Sequence, residues 1–198
     1  RGTRVGRFDS KLGYRLATNN LNINKRVSRG ELKQYTVVIV LDRSGSMQGQ
    51  ITDAEAAAGG FAKALEEIGV SVAVIDLYRD TARMVKPFGS STEQAKGGLA
   101  SGDVGGTTPL TDALVLSRER VRQGEHYPFM IVISDGLPNE KQTYLNELSK
   151  TAFPVVGVNI TRSTTVDEGF RDCYDVCEKT RPENLTQTLS TVAQRVIF

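Results

Sequence analysis

The sequence is poor in the residues that cysteine and histidine chemistry requires, with two cysteines and one histidine among 198 residues. Cys173 and Cys177 are only four residues apart, so we expect reduced packing thiols rather than a disulfide framework. His126, as the lone histidine, leaves zinc and haem sites without ligands. No apolar run approaches the roughly 20 residues that span a membrane, and no signal-like segment opens the chain. We therefore expect no membrane partner.

Charge does not identify a partner either. Charged residues make up 24% of the chain and the formal net charge is +2, which gives no overall signal for nucleic acid. The segment from Arg1 to Arg29 is basic, with Asp9 as its one acidic residue. It is either a solvated arm on the domain or a docking patch for an acidic partner or a phosphate backbone. We expect a basic lead-in over residues 1–33, one domain over residues 34–198, and, because Arg rather than Met comes first, a longer parent protein.

Apolar runs alternate with helical patterns in the order typical of a βαβ domain. This predicts a Rossmann-like α/β fold with a mainly parallel sheet, helices on both faces and one antiparallel edge strand after the turn at residues 79–81. Gly59 and Gly60 lie inside the predicted helix 52–68, and we interpret them as close packing of that helix on the sheet. The buried strands are predicted near residues 35–41, 70–78, 129–134 and 154–160, with a short sixth strand near 174–178.

Oxygen-bearing side chains follow two of these strands and precede one helix. Asp42, Ser44 and Ser46 follow the first strand, and Asp135 follows the strand 129–134. The run Gly-Gly-Thr-Thr-Pro-Leu, residues 105–110, places Thr108 at the start of a helix, with Thr107 as the alternative. Because ligands bind beyond the carboxyl ends of strands in α/β sheets, we expect these side chains to face one point. Hard oxygen ligands of this kind suit Mg2+.

Together these motifs resemble the metal-ion-dependent adhesion site of von Willebrand factor A domains. That family has the pattern Asp-x-Ser-x-Ser, then a distant Thr, then an Asp after a second buried strand. The resemblance implies that Ser44 and Ser46 bind the ion directly and that Thr108 binds it directly in one state and through water in another. It implies direct or water-mediated contacts for Asp42 and Asp135. Mn2+ and Ca2+ are alternative ions for the same oxygen atoms.

The flanks resemble one branch of the family. Gly6-Arg7-Phe8-Asp9-Ser10-Lys11-Leu12 and the basic stretch after it look like the lead-in of CobT-type cobaltochelatase subunits. The compact stretch 89–128 departs from that group and is more like magnesium-chelatase D-type domains and the proteins that partner MoxR-type AAA+ ATPases. The resemblance implies a cytoplasmic, non-catalytic adaptor of an AAA+ ATPase complex. Its Mg2+ would bridge to an Asp or Glu of the ATPase or of its substrate protein.

Three other functions compete with this one. The same metal could serve a cell-surface or secreted adhesion domain that binds a ligand carboxylate. A phosphotransferase with Asp42 as nucleophile would need a second carboxylate two residues on, where Ser44 stands. RNA binding through the basic lead-in lacks a recognised RNA-binding motif. The sequence contains no recognised acid–base pair or activated nucleophile, so we expect no enzymatic activity, and it does not encode an oligomeric state.

Overall fold

The computed structural model describes residues 35–121, 127–162 and 168–197. The predicted lead-in, residues 1–33, lies outside the described residues, so the division of the chain stays a prediction. The elements are β1 (Thr36–Asp42), α1 (Ile51–Glu67), β2 (Ser71–Tyr78), β3 (Thr81–Lys86), α2 (Lys96–Leu99), α3 (Leu110–Val121), β4 (Pro128–Ser134), α4 (Lys141–Leu148), β5 (Val155–Ile160), α5 (Glu168–Arg171), β6 (Val176–Thr180) and α6 (Leu185–Val196). Short 3-10 turns occupy Gly45–Met47 and Pro182–Asn184.

Six strands form one sheet in the order β3-β2-β1-β4-β5-β6. Neighbouring strands are parallel except β2 and β3, which form an antiparallel hairpin at the edge. The hairpin turns at Arg79 and Asp80, whose φ angles of 49° and 64° are those of a tight two-residue turn. The predicted fold class is confirmed, including the antiparallel edge strand.

Helices cover both faces of the sheet because the central strands are apolar on both sides. All seven residues of β1 are buried, and successive side chains point to opposite faces. Val37, Ile39 and Leu41 pack in one cluster with α1 and α6. Val38 and Val40 pack in a second cluster with α3, α4 and α5. Among the described residues, none of the helices is long and apolar enough to cross a membrane.

The interpretation of the two glycines in α1 is wrong. A Cβ atom added at Gly59 or Gly60 would meet nothing within 4 Å. Close approach of the helix backbone to the sheet therefore does not require glycine at either position. The packing of α1 is carried instead by buried side chains such as Ala54, Ala58, Phe61 and Leu65.

The strand order defines where a ligand crevice must form. From β1 the chain proceeds to β2 and β3 on one side, and it then returns to place β4 on the other side of β1. The connections leaving β1 and β4 therefore diverge at the carboxyl ends of these two strands. Such a switch point is the usual ligand site of open α/β sheets. Asp42 ends β1, and Asp135 directly follows β4.

Candidate metal centre

Four of the five predicted site residues form one hydrogen-bonded cluster at this switch point. Asp42 Oδ1 accepts a hydrogen bond from the backbone N–H of Ser44 at 2.8 Å. The hydroxyl oxygens of Ser44 and Ser46 are 3.0 Å apart. Ser46 Oγ in turn donates to Asp135 Oδ1 at 2.7 Å. The ends of β1 and β4 are thus joined by hydrogen bonds that run from Asp42 through Ser44 and Ser46 to Asp135.

The turn after β1 is held in place by a buried side chain and by backbone hydrogen bonds to the segment before α3. Met47 is fully buried in the core and anchors the 3-10 turn that carries Ser46. The backbone N–H of Gly45 donates to the carbonyl of Gly106 at 3.3 Å, and that of Gly105 donates to the carbonyl of Arg43 at 2.8 Å. The stretch from Gly105 to Thr108 (the threonine limb) therefore lies directly against the turn.

The two candidate threonines have different surroundings. Thr107 is exposed, and its hydroxyl donates to Asp80 Oδ1 at 2.5 Å and accepts from Asn139 Nδ2 at 2.5 Å. Thr108 is buried, and its backbone N–H donates to Asn139 Oδ1 at 3.1 Å. The Thr108 hydroxyl makes no hydrogen bond to another residue in the part of the chain that the structure describes. The Thr107 hydroxyl is thus engaged on the outside of the limb.

This architecture agrees with a family-level match. The model of the von Willebrand factor type A domain matches residues 37–137, from β1 through the residues after Asp135. The chain belongs to this family. An uncharacterized protein of Methanocaldococcus jannaschii is 32% identical over 108 residues, which cover 50% of this chain and 62% of that relative. The chain thus spans less than two thirds of the length of the curated relative that it matches.

Several solved structures show the same fold at low sequence identity. The domain of the type V pili tip protein of Porphyromonas gingivalis has a TM-score of 0.66 at 12% identity, covering 82% of this chain and 95% of that one. An aerotolerance-related membrane protein of Bacteroides fragilis has a TM-score of 0.60 at 17% identity, and the match covers 82% of this chain and 98% of that one. An ArnB paralog of Sulfolobus acidocaldarius has a TM-score of 0.57 at 19% identity, and the match covers 79% of this chain and 44% of that one. At these identities the likeness concerns the fold alone.

The site of this von Willebrand factor A domain holds a buried carboxylate without a counter-charge. Asp42 is fully buried, and burial raises its pKa. The charge of Asp135 raises that pKa further, against hydrogen bonds from Ser134 and Ser44 that lower it. Neither aspartate takes part in any of the ion pairs found among the described residues. An unpaired buried carboxylate is costly unless a cation approaches it.

Two residues that the sequence did not predict complete the site. Ser134 Oγ donates to Asp42 Oδ2 at 2.5 Å and accepts from the Gly136 N–H at 3.1 Å. Gln50 Nε2 donates to Asp135 Oδ2 at 2.8 Å. The serine before Asp-Gly at the end of a buried strand is a signal that could have identified Ser134. Nothing in the sequence pattern distinguishes Gln50, because its contact depends on how α1 begins beside β4.

Proposed function

We propose that this domain is a non-catalytic, Mg2+-dependent protein-interaction module. The ion would be held by Asp42, Ser44, Ser46, Thr108 and Asp135, and the partner protein would contribute a carboxylate. The observation that carries the proposal is the buried Asp42 carboxylate, which faces Asp135 across two hydroxyls and forms no ion pair with the residues that the structure describes. A divalent cation supplies the charge that this arrangement lacks.

The donor set fits a small hard cation. Two carboxylates and three hydroxyls are all oxygen ligands, and no group of three or more His, Cys, Asp or Glu side chains competes for a metal within the described ranges. Thr108 is assigned rather than Thr107 because the Thr107 hydroxyl already binds Asp80 and Asn139. Mn2+ and Ca2+ share the oxygen preference and would serve as substitutes. When bound, the ion supplies an exchangeable position for a carboxylate oxygen of another protein.

The residues around the site support ligation rather than bond-breaking. Ser44 stands where an enzyme that phosphorylates Asp42 would need a second carboxylate. Ser46, whose side chain is exposed, hydrogen-bonds to Asp135 and so lacks the nitrogen base that activates serine nucleophiles. In this proposal the protein residues orient the ligand oxygens: Ser134 holds the Asp42 carboxylate and Gln50 holds the Asp135 carboxylate, each through a hydrogen bond.

A more specific proposal concerns the partner, an AAA+ ATPase of chelatase or MoxR type or its substrate protein in the cytoplasm. Its support is the resemblance of Gly6–Leu12 and the basic stretch after it to the lead-in of CobT-type cobaltochelatase subunits. In the sequence, the short stretch 89–128 is more like magnesium-chelatase D-type domains and the proteins that partner MoxR-type ATPases. The site proposal does not depend on this partner, so the two are tested separately.

Cation binding is tested by titrating Mg2+ into purified wild type, Asp42→Ala and Asp112→Ala, with calorimetry and thermal unfolding as readouts. Asp112 is exposed on α3 and gives a matched loss of one carboxylate outside the site. We expect wild type and Asp112→Ala to bind and to be stabilised, and Asp42→Ala to do neither. A wild-type protein with no Mg2+ response would overturn the site.

The partner is tested by capture from a lysate of the source cells with Mg2+ or EDTA. An AAA+ ATPase that is retained by wild type and Asp112→Ala in Mg2+, and lost with EDTA or Asp42→Ala, supports the adaptor role. Capture of the ATPase that is unchanged by EDTA and by Asp42→Ala would contradict a metal-bridged contact. In that case the Mg2+ titration would still decide whether the cation site exists.

A further inference from the structure

The residue directly after Asp42 is a buried arginine with an unusual number of partners. The Arg43 side chain has no exposed surface, and it lies between α1, β2 and the segment 98–103. It forms an ion pair with Glu55, and its Nε lies 3.0 Å from Asp76 Oδ2, an ionic contact without hydrogen-bond alignment. A guanidinium is suited to this position because its donors fan out in a fixed plane.

The remaining donors of Arg43 hold a stretch of irregular chain. They bind the carbonyls of Gly98 at 3.1 Å, Leu99 at 3.2 Å and Asp103 at 3.4 Å. Glu55, which accepts from Arg43, also accepts from the N–H of Gly102 at 2.8 Å. One buried ion pair therefore fixes the backbone from residue 98 to residue 103, where α2 contributes only one turn of regular structure.

This stretch leads directly into the threonine limb, which has little room to move. Gly106 has a φ of +80°, and a Cβ atom there would lie 2.8 Å from Arg79 Cα and from the Asp80 nitrogen. The backbone N–H of Arg79 donates to the carbonyl of Gly105 at 3.1 Å. The limb continues the chain from residues 98–103, and its Gly105 N–H donates to the Arg43 carbonyl at 2.8 Å, so Arg43 contacts both this stretch and the limb.

The charge of Arg43 is balanced by its own partners, so an effect of Arg43 on the site must come through the positions of the residues that it binds. Arg43 and Arg83 oppose Glu55 and Asp76, so two cations are matched by two anions within the network. No net charge is left to neutralise Asp42. We propose, resting on the proposed function, that Arg43 is a positioning residue that sets cation affinity by holding the threonine limb in place.

A double-mutant cycle on Mg2+ affinity tests this proposal. Arg43→Lys keeps the positive charge but loses the planar set of guanidinium N–H donors. Thr108→Ala removes the ligand through which Arg43 is proposed to act. We expect each single variant to weaken Mg2+ binding about tenfold, and the double variant to be no weaker than the worse single one. Glu55→Gln is a milder second variant, in case Arg43→Lys folds poorly, and is expected to act in the same direction.

Lys86→Met is the control for general destabilisation, because Lys86 is also buried and bonded to a carboxylate, Glu66, but lies at the end of β3 opposite to the β2–β3 turn that contacts the limb. It should lower thermal stability and leave Mg2+ affinity unchanged. Wild-type affinity in both Arg43→Lys and Glu55→Gln, or losses that add in full to that of Thr108→Ala, would overturn the positioning role.

Amide hydrogen exchange in EDTA separates this proposal from the proposed function. The Gly45 N–H reports the contact between the turn and the limb, and the Gly102 N–H reports the Glu55 contact. Arg43→Lys should speed exchange at these amides by about tenfold or more and spare the strands. Uniform acceleration or none overturns limb positioning. Local acceleration in a protein that binds no Mg2+ would mean that the cation site fails while Arg43 still orders the limb.

Discussion

Asp42 and Asp76 are equally buried carboxylates on neighbouring strands, and the protein treats them in opposite ways. Both have no exposed surface. Asp76 faces Arg43 at 3.0 Å and Arg83 through two contacts of 2.9 and 2.7 Å. Asp42 is surrounded by neutral donors, the N–H of Ser44 and the hydroxyl of Ser134. The fold therefore pairs Asp76 with two guanidinium groups, whereas Asp42 forms no ion pair with any of the described residues.

Strand geometry explains how adjacent residues reach different environments. Leu41 is opposite Asp76 in the register of β1 and β2, and Asp42 is opposite Leu77. Since alternate side chains share a face, Arg43 lies on the same face as Leu41 and Asp76, and Asp42 lies on the other. The arginine next to Asp42 in sequence is thus directed to the other aspartate, and the pleat of the sheet keeps Asp42 free of it.

Removing Asp76 should produce the largest effect. Asp76→Asn leaves Arg43 buried with Glu55 as its one remaining carboxylate partner among the described residues, and breaking a buried ion pair in this way costs about 3–5 kcal/mol of unfolding free energy. The measurement is urea denaturation in EDTA, where the cation plays no part. Asp112→Ala is the control and should change little. A loss below about 1 kcal/mol would contradict the structural role of this pair.

Removing Asp42 should have the opposite sign in EDTA. Asp42→Asn keeps the shape of the side chain and abolishes an unpaired buried charge, so we expect unchanged or slightly higher stability without a cation. In Mg2+ at 100 times the dissociation constant, wild type should gain about 2.7 kcal/mol and Asp42→Asn nothing. If Asp42→Asn were as destabilising in EDTA as Asp76→Asn, the two carboxylates would both be structural.

The sequence predicted Asp42 better than it predicted the surroundings of Asp76, for a physical reason. Strand ends, helix starts and hydroxyl spacing are local patterns, so the fold and the meeting of Asp42, Ser44, Ser46 and Asp135 could be inferred from them. The partners of Arg43 come from α1, β2 and residues 98–103. No local pattern encodes that meeting, and an arginine in a polar turn is normally expected to face solvent.

Ser134 offers a smaller and more selective test of the comparison. Ser134→Ala removes the 2.5 Å hydrogen bond to Asp42 Oδ2 without touching Asp76. Residues that orient a ligand usually change metal affinity about 10- to 100-fold, so we expect at least a tenfold weaker Mg2+ affinity by calorimetry. Ser117→Ala is the matched control, because Ser117 is equally buried but bonds to the Ala113 carbonyl. Equal affinities in both variants would exclude a role for Ser134.

A difference in pH dependence distinguishes Asp42 from a third acidic residue, Glu66. Burial raises the pKa of Glu66, but hydrogen bonds from Lys86 and Thr92 outweigh it, so the pKa lies below the usual 4.5. Its contribution to stability is therefore present above pH 4.5 and lost as the pH falls through the folded value. The pKa of Asp42 is raised above 3.8, so Asp42 lowers stability as the pH rises through its folded value.

Unfolding free energies in EDTA from about pH 3 to pH 7 should separate the two signs. Glu66→Gln should lose stability at neutral pH by about 1–3 kcal/mol, since the hydrogen bonds to a charged group are weakened, and should fall less on acidification. The unfolding free energy of Asp42→Asn should increase relative to that of wild type as the pH rises. Mg2+ should cancel this difference because it stabilises wild type alone. If both variants changed the pH profile in the same direction, the Asp42 carboxylate would have a cationic partner within the protein, and the case for an external cation would fail.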